Sequence, residues 1–396
     1  MIIAAEQVVT AASPDGPVPF SGFVEFTDGV IGSVSAGRPP RPADVTLADG
    51  YLLPGLVDLQ VNGYFGIEFQ TADAARWGEI AARLPSTGTT SLVPTIITAP
   101  VERLTATLRA ARDFVPDLPA GGARVLGVHV EGPFLSPLRR GAHNPQWITD
   151  PTPPAVTELI EAGRGLLRLV TIAPELPGAL AAIEQLTEAG VLVSVGHSDA
   201  LAAQVAAAAD RGARMVTHLF NAQRGLSHRE PGVAGQALTD ERLTSGLIAD
   251  LHHVAGPVCG LAFRAAPGRI ALVTDAAAPA GMPPGEYLLG GEPVRLPDAA
   301  GAPPLRADGT LAGSSLRLDV AVANAVACGV PLTAAACAAT SIPADLIGRP
   351  DLGRLAPGAA ADLIWLGPDL RTRATWLAGR LVFTDGSAAT LACARS

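Results

Sequence analysis

Residues 191–218 read VLVSVGHSDALAAQVAAAADRGARMVTH and contain a complete strand–helix–strand pattern. A short β-branched run, Val191–Val195, is followed by an Ala-rich stretch with helical spacing, Ala200–Arg211, and then by a second run, Arg214–His218. Because a helix between two strands brings the second strand back parallel to the first, this pattern predicts a parallel sheet. The stretch therefore favours an α/β fold.

The same alternation extends from residue 55 to about residue 349. The β-branched runs are Gly55–Val61, Thr90–Ile96, Arg124–Val130, Leu167–Ile172, Val191–Val195, Arg214–His218, Gly246–Ala249 and Arg269–Thr274. Helical candidates between them include Ala74–Leu84, Glu102–Phe114, Ala179–Ala189 and Ala200–Arg211. Eight strand-then-helix units predict a (β/α)8 TIM-like barrel. The alternative is an open doubly wound sheet, which often carries a GxGxxG turn after its first strand, and no such turn is found there.

Both ends of the chain differ from this middle. Short runs punctuated by Gly, Pro and Asp, typical of small antiparallel strands, occur at Gly22–Phe26, Val30–Ser33, Ala361–Leu366, Ala374–Trp376 and Gly379–Phe383. We therefore predict a small β-sandwich domain built from both termini, residues 1–53 plus 350–396, and a catalytic barrel of residues 54–349. The Gly- and Pro-rich segment Pro283–Pro304 is predicted to be an excursion from the barrel.

Composition excludes several classes of protein. With 396 residues, 48% of them hydrophobic and 16% charged, the chain is neither disordered nor fibrous. A net charge of −9 argues against a nucleic-acid partner. The first residues, MIIAAEQVVT, have no signal-peptide pattern, and no apolar run has the length of a membrane helix, so we expect no membrane partner.

The absence of lysine limits the possible catalytic mechanisms, and the spacing of the cysteines indicates the cellular compartment. All 28 basic residues are Arg, which excludes a lysine Schiff base, a P-loop lysine and a carboxylated-lysine metal bridge. The cysteines are Cys259, Cys328, Cys337 and Cys393, and none belongs to a CxxC pair. We expect them to be reduced, packed thiols in a cytoplasmic protein.

Four polar residues stand at the ends of four different predicted strands. They are Glu131, His197, His218 and Asp275. Because the carboxyl ends of barrel strands converge on one mouth, these side chains are predicted to share one small volume. Two His and one carboxylate form a three-ligand set for a catalytic divalent metal, and Asp275 could transfer a proton. A single His after a strand is more often a hydrogen-bonded core residue, but four polar residues at the same topological position argue against coincidence.

Further candidates lie in the loops after the strands. His143 follows the third run and is free to touch a substrate, although a plain surface histidine is the alternative. Arg229 follows the sixth run and could bind phosphate or carboxylate through its planar fork, although a solvated loop charge is the alternative. His252 and His253 follow the seventh run. His129 lies deeper in its strand, which favours a structural role.

Long sequence strings resemble one known family. They are PGLVDLQVNG, LVPTIIT, GVHVEGPFLSPLRRGAHNP, VTIAPE, VSVGHSDA, THLFNAQRGLSHREPG, LVTDAAAPAG and GTLAGSSL. Together they resemble the N-acetylglucosamine-6-phosphate deacetylases of the amidohydrolase superfamily, from about residue 50 to residue 365. The resemblance implies a homodimeric, metal-dependent hydrolase that releases acetate from N-acetyl-D-glucosamine 6-phosphate in amino-sugar catabolism and recycling.

The resemblance also implies residue roles. Glu131, His197 and His218 would bind one divalent metal ion per subunit, zinc or iron. Asp275 would be the general base and then the acid, and His143 would polarise the acetyl carbonyl. The other implied substrate contacts are Ala142, Asn221, Ala222, Arg229, His253, Leu311, Ala312, Gly313 and Ser314, with Arg229 reaching into the neighbouring subunit's site.

The sequence departs from the family pattern in two places. Gln60 and Asn62 occupy the positions of the two His residues that bind a second metal in some members. Since amides are weak ligands beside imidazole, we predict vacant second-metal positions and a single metal. In IADLHHV the family usually has Gly before a single His, and alignment favours His253 over His252 as the phosphate contact.

Alternatives with different substrates or no catalysis remain open. The same chemistry could act on N-acetylgalactosamine 6-phosphate or on an N-acyl amino acid. A catalytically inactive barrel could serve as a sugar-phosphate sensor, although the intact set of Glu131, His197, His218 and Asp275 argues against it.

Overall fold

The computed structural model describes residues 1–16 and 18–386. The strands that precede the barrel are β1 Ile2–Val8, β2 Phe20–Thr27, β3 Val30–Ala36, β4 Val45–Leu47 and β5 Tyr51–Pro54. Those of the middle region are β6 Leu56–Val61, β7 Gly63–Tyr64, β8 Ile67–Glu68, β9 Thr89–Ile97, β10 Arg124–Val125, β11 Val128–Glu131, β12 Leu167–Ile172, β13 Leu192–Val195, β14 Met215–Val216, β15 Thr244–Leu247, β16 Ile270–Leu272, β17 Gly285–Leu289 and β18 Glu292–Leu296. The last are β19 Leu363–Leu366, β20 Thr372–Leu377 and β21 Arg380–Thr384.

Among the described residues, the α-helices all belong to the middle region. They are α1 Ala74–Arg83, α2 Val101–Phe114, α3 Pro153–Ala162, α4 Ala179–Glu188, α5 Ala202–Asp210, α6 Gly232–Thr239, α7 Gly256–Ala265, α8 Leu318–Ala327, α9 Leu332–Ala338 and α10 Ser341–Leu346. Within the part of the chain that the structure describes, no helix is both long and apolar enough to cross a bilayer.

The middle strands form a closed parallel barrel. Strands β6, β9 and β11 to β16 pair in parallel, in chain order. A parallel bridge between Val61 and Ala276 joins the last strand to the first, with Asp275 N donating to Gln60 O at 2.9 Å and Asn62 N donating to Ala276 O at 2.7 Å. Closure of the sheet confirms the predicted (β/α)8 barrel and excludes the open doubly wound alternative.

Each predicted β-branched run overlaps one barrel strand, and the differences have local causes. The third run is divided because Gly127 takes φ of +148° between β10 and β11. The sixth run is mostly not strand, since only Met215–Val216 pairs before the chain turns at His218, whose φ is +27°. Left-handed backbone does not continue a strand.

A polar layer crosses the barrel interior below the mouth. The ring of His129 is held by Thr95 Oγ1 at 3.2 Å from Nδ1 and by Thr171 Oγ1 at 2.8 Å from Nε2. Thr171 bonds to Thr217 at 2.7 Å. Burial lowers the pKa of His129 to about 4, so its ring is neutral. His129 therefore cross-links strands, which agrees with the structural role expected for it.

The strands from both termini form the expected small β domain. Its sheet runs in the order β21-β20-β19-β5-β1-β2-β3, with β4 on β1. The sheet curls on itself, since Ile31 N donates to Ala359 O and Ala361 N donates to Gly29 O, both at 2.8 Å. Trp376 belongs to the apolar core enclosed by this curl. Residues 387–396 of the predicted domain, with Cys393, lie outside the described residues.

Segment Pro283–Pro304 contains an antiparallel hairpin, β17–β18. Leu289 and Val294 of this hairpin pack with Ala277 and Ala312 into a small apolar cluster at the barrel mouth. The segment therefore covers part of the mouth rather than dividing two domains.

Candidate active site and metal centre

The four predicted site residues meet at the carboxyl ends of the barrel strands. Glu131 is the last residue of β11, and His197, His218 and Asp275 follow β13, β14 and β16. The last three have φ of +48°, +27° and +49°, a left-handed backbone that is costly for residues with a side chain. This backbone turns the chain sharply at the strand end and leaves all four side chains buried beside one another.

The three predicted metal ligands have the spacing of a coordination site. Glu131 Oε1 lies 3.3 Å from His197 Nε2 and 3.1 Å from His218 Nε2. The two imidazole Nε2 atoms lie 3.0 Å apart. Bonds of about 2.0–2.2 Å in a tetrahedral zinc site place ligand atoms roughly 3.3 Å apart. These three ligand atoms can therefore bind one ion together.

The hydrogen bonds of the same residues leave the imidazole Nε2 atoms facing the carboxylate. His197 Nδ1 lies 2.9 Å from the carbonyl oxygen of Arg139, which can only accept, so Nδ1 donates to it and Nε2 is the ring nitrogen that faces Glu131. Burial opposes ionisation of Glu131, but the two histidines outweigh it and hold the pKa of Glu131 well below its usual value. A buried carboxylate facing two imidazole nitrogens is a ligand set that fits a divalent metal.

His143 lies on the rim of this centre. Its Nε2 is 3.9 Å from Glu131 Oε2, and its ring lies edge-on to His197 with centroids 4.3 Å apart. Glu131, His143 and His197 are also close enough to hold an ion, with ligand atoms within 4.8 Å of one another. Burial lowers the pKa of His143 to about 3, so the ring is neutral. Thr98 Oγ1, which sequence reasoning missed, lies 2.8 Å from His143 Nδ1.

Asp275 is held next to the metal ligands by two amides. Its Oδ1 accepts from Asn62 Nδ2 at 2.7 Å and from Gln60 Nε2 at 3.0 Å. Burial, and then the charge of Glu131, raise the pKa of Asp275 to about 6. A carboxyl group with a pKa near the working pH is suited to general acid–base catalysis.

A cavity of about 220 Å³ opens above these side chains. Of the substrate contacts expected from the family resemblance, those that line it are Ala142, His143, Asn221, Ala222, His253, Leu311 and Gly313. Ala312 is buried in the cluster with the hairpin. Ser314 is buried behind Asp275, where its N–H donates to the Asp275 carbonyl at 2.8 Å. Leu289 of the hairpin and Thr310 also line the cavity; Thr310 belongs to the string GTLAGSSL but was not expected as a contact, and no motif marked Leu289.

Known proteins are similar over almost the entire chain. N-acetylglucosamine-6-phosphate deacetylase of Vibrio furnissii is 35% identical over 90% of this chain and 89% of its own length. N-acetylgalactosamine-6-phosphate deacetylase of Escherichia coli O157:H7 is 38% identical over 90% of this chain and 94% of its own. A mutant N-acetyl-D-glucosamine-6-phosphate deacetylase of Mycobacterium smegmatis, solved in complex with N-acetyl-D-glucosamine-6-phosphate, superposes with a TM-score of 0.89 at 38% identity over 97% of this chain and 99% of its own. No family model matches the chain.

The chain belongs to the N-acetylglucosamine-6-phosphate deacetylase family. The same enzyme of Thermotoga maritima, 30% identical over 97% of this chain and 100% of its own, gives a TM-score of 0.86. The family resemblance expected from the sequence is thereby confirmed, together with hydrolysis of an amide bond as the reaction class.

In this deacetylase fold, His253 rather than His252 faces the cavity. His253 Nδ1 lies 2.6 Å from Asp250 Oδ2, and Asp250 Oδ1 accepts the N–H groups of His252 and His253 at 2.9 and 2.8 Å. Burial opposes ionisation of Asp250, but His253 outweighs it and lowers the pKa of Asp250. Asp250, missed by sequence reasoning, fixes the orientation of His253, and the spacing D-x-x-H was the available signal.

Arg229 lies apart from the other expected substrate contacts. It is exposed, on the loop between β14 and α6, and it does not line the cavity. Among the described residues it makes no ion pair, and its backbone N–H contacts Ser227 Oγ at 3.5 Å. Leu226 in the same loop is 60% exposed. Within one chain, therefore, Arg229 does not contribute to the cavity.

Proposed function

We propose that the protein hydrolyses N-acetyl-D-glucosamine 6-phosphate to D-glucosamine 6-phosphate and acetate, a step of amino-sugar catabolism and recycling. The observation that carries this proposal is the buried meeting of Glu131, His197 and His218 beside Asp275, with ligand atoms of the first three 3.0–3.3 Å apart. Names of relatives and structural neighbours over nearly the full chain support the substrate.

One divalent metal ion per subunit, zinc or iron, would be held by Glu131, His197 and His218. When bound, such an ion lowers the pKa of a coordinated water and polarises a carbonyl oxygen. The amides Gln60 and Asn62 supply no strong ligand for a second ion. Elemental analysis of the purified protein is expected to show about one equivalent per chain, and two equivalents in the active enzyme would contradict this assignment.

Asp275 carries out both proton transfers of the proposed reaction. With its Oδ1 occupied by two amide donors, Oδ2 takes a proton from the attacking water as the water oxygen bonds to the acetyl carbon. The same group then gives this proton to the amide nitrogen, the C–N bond breaks, and acetate and the free amine leave. Asp275→Asn is expected to abolish turnover while metal stays bound, since the ligands are untouched. Near-normal activity of this variant would overturn the assignment.

His143 is proposed to donate a hydrogen bond to the acetyl carbonyl. Because the ring is neutral, this role needs the proton on Nε2 and therefore an acceptor lone pair on Nδ1. The Thr98 hydroxyl donates to the main-chain oxygen of Glu131 at 3.1 Å and lies 2.8 Å from Nδ1, so in this role it turns from that oxygen and donates to Nδ1 instead. A neutral imidazole donor also adds no positive charge beside the metal.

The sugar phosphate is proposed to contact Asn221, Ala222 and His253 of one subunit and Arg229 of its partner, in a homodimer. The exposed guanidinium without an acidic partner among the described residues supports this role for Arg229. The segment Leu311–Ser314 is proposed to close over the sugar, since Leu311 and Gly313 line the cavity.

Arg229→Ala tests the phosphate contact. We expect KM for the phosphorylated substrate to rise by about 10- to 100-fold, because a charge-assisted bond is lost, while turnover of unphosphorylated N-acetylglucosamine stays unchanged. The matched control is Arg164→Ala, an exposed arginine between α3 and β12, on the opposite end of the barrel. Equal effects on both substrates would refute the role of Arg229, and gel filtration of the wild type tests the dimer.

A second candidate substrate is N-acetylgalactosamine 6-phosphate. It is favoured by the relative from Escherichia coli O157:H7, which carries that name at 38% identity. Acetate release measured as kcat/KM on both 4-epimers, each with and without the 6-phosphate, decides between them. Absence of acetate release from every member of this panel by the metal-loaded protein would instead favour the sugar-phosphate sensor.

Two further proposals concern the organisation and location of the protein. We propose domain limits of residues 1–53 plus 350–396 for the small β domain and 54–349 for the barrel. We propose a cytoplasmic location, supported by the free thiols of Cys259, Cys328 and Cys337 in the described residues.

A further inference from the structure

We propose that Gln60 and Asn62 are positioning residues for the proton-transferring group, rather than only the remnant of a second metal site. Their side-chain N–H groups hold one oxygen of Asp275, Oδ1, so that the other oxygen, Oδ2, is the one presented for proton transfer. This inference rests on the proposed function, because it assigns how that reaction's base is oriented.

Two donors converge on the same carboxylate oxygen. Asn62 Nδ2 lies 2.7 Å and Gln60 Nε2 lies 3.0 Å from Asp275 Oδ1. All three side chains are more than nine-tenths buried, and Asn62 and Asp275 also line the cavity. Two hydrogen bonds from different residues to one oxygen fix the rotation of the carboxylate as well as its position.

The orientation of both amides is determined by Asp275. The amide oxygens, Gln60 Oε1 and Asn62 Oδ1, are buried without a hydrogen-bond partner among the described residues. Such unpaired buried acceptors are unfavourable, and most buried polar atoms avoid this state. Turning either amide over would place an acceptor against the carboxylate. Both amides therefore keep their N–H groups directed at Asp275.

The backbone holds donors and acceptor in register. At the barrel closure, Asp275 N donates to Gln60 O at 2.9 Å and Asn62 N donates to Ala276 O at 2.7 Å. One step below, buried Asp58 accepts from Gln60 N at 3.2 Å and from Thr274 Oγ1 at 2.6 Å. Strand β6 thus cannot slide relative to the segment after β16 without breaking these bonds, and the two amides stay opposite Asp275.

Gln60 also joins the base to a metal ligand. Its Nε2 lies 3.2 Å from Glu131 Oε1 as well as 3.0 Å from Asp275 Oδ1. A neutral donor shared by two carboxylates reduces their mutual repulsion without bringing in a second cation. In this chain the two amides therefore orient Asp275 without a second cation.

Substitution by side chains of similar shape without donors tests the inference. Asn62→Leu and Gln60→Met are compared with matched controls, Asn324→Leu and Gln70→Met. Asn324 donates to Ala249 O at 2.8 Å and Gln70 accepts from Ile97 N at 3.2 Å, so neither contacts Asp275. Acetate release gives kcat and KM, elemental analysis gives metal per chain, and thermal unfolding gives Tm.

We expect kcat to fall about 10-fold or more in Asn62→Leu and in Gln60→Met relative to their controls, with KM and metal content within about two-fold of wild type. If the role were purely structural, Tm and metal content would fall and KM would rise together. The kcat of the correctly folded fraction would stay unchanged. Equal kcat in the variants and their controls overturns the inference.

A crystal structure of Asn62→Leu provides a readout independent of turnover. We expect the Asp275 carboxylate to rotate, moving Oδ1 by more than about 0.5 Å, the tolerance of a productive site. An unmoved carboxylate overturns the inference. Failure of the proposed function shows differently, as a wild-type enzyme that releases no acetate from either sugar phosphate, whatever the position of Asp275 in the variant.

Discussion

Lowering the pH is expected to inactivate the enzyme through Asp275. This residue must be ionised to accept a proton from water, so activity is present above its pKa and is lost as the pH falls through it. Burial and the neighbouring Glu131 charge raise that pKa to about 6. The positive charge of a bound metal acts in the opposite direction, so a pKa of 6 is the upper limit for the acid limb of kcat.

The structure sets the size of this effect. With a pKa near 6, the ionised fraction of Asp275 falls from about 90% at pH 7 to about 10% at pH 5, and kcat falls up to roughly ten-fold. A second acid process competes, because protonation of the metal ligands releases the ion. Burial disfavours protonation of His218, but Glu131 outweighs burial and raises its pKa, so metal release begins closer to neutral pH than for an ordinary histidine.

Steady-state acetate release from pH 4 to pH 8, measured with and without saturating metal, separates the two processes. Excess metal restores activity lost by ligand protonation and cannot restore activity lost by protonation of Asp275. An acid limb of kcat above pH 7 that persists in excess metal would refute the role of Asp275 as base, because 6 is the upper limit of its pKa.

Three substitutions around the site give further expected outcomes. Thr98→Val removes the hydroxyl beside His143 Nδ1, and kcat for acetate release should fall about 10-fold at unchanged metal content, since the ring loses the partner that sets its tautomer. Asp250→Asn should raise KM for the phosphorylated substrate several-fold, because His253 Nδ1 loses the carboxylate oxygen that fixes its orientation; unchanged KM would count against the pair. Leu251→Gly should raise the free energy of unfolding by up to about 1 kcal/mol, or Tm by about 1 °C, since Leu251 is 40% exposed and has φ of +66°; a lower Tm in calorimetry would contradict this.

The barrel and its ligand set could be predicted from the sequence because both depend on periodic features. β-Branched runs of similar length recur between Ala-rich helices, and the candidate catalytic and metal-binding residues stand at or just after the ends of these runs. Leu167–Ile172 was predicted with its observed bounds, since five of its six residues are buried, as expected for a strand of a parallel barrel, and only Arg168 is exposed. Glu131, His197, His218 and Asp275 were found by the same rule, because strand ends share one mouth.

Contacts between distant, individually unremarkable residues could not be predicted. Thr98 lies in the string LVPTIIT and Asp250 in IADLHHV, but neither string shows which ring nitrogen the fold brings to each side chain. The hydrogen bonds of Gln60 and Asn62 to Asp275 could not be predicted either. The sequence shows that the two histidines of a second metal site are replaced, but it does not show which group the replacing amides bind. The direction of a hydrogen bond depends on the positions and the chemistry of both partners. The spacing of residues in the sequence gives neither for residues that are far apart in the chain.

Residues with strained, positive-φ backbone are concentrated at the candidate active site of this protein. Of the eleven non-glycine residues with positive φ in the described part of the chain, six lie just after the barrel strands β13 to β16: His197, His218, Phe220, Ala222, Leu251 and Asp275. Each such residue costs on the order of 1–3 kcal/mol and persists only where its surroundings determine it. Here the surroundings are strands hydrogen-bonded on both sides in a closed sheet, which has no free edge along which the strain could relax. Closure of the barrel therefore does more than support the loops, because it fixes the strands from which three site residues, His197, His218 and Asp275, leave in left-handed backbone.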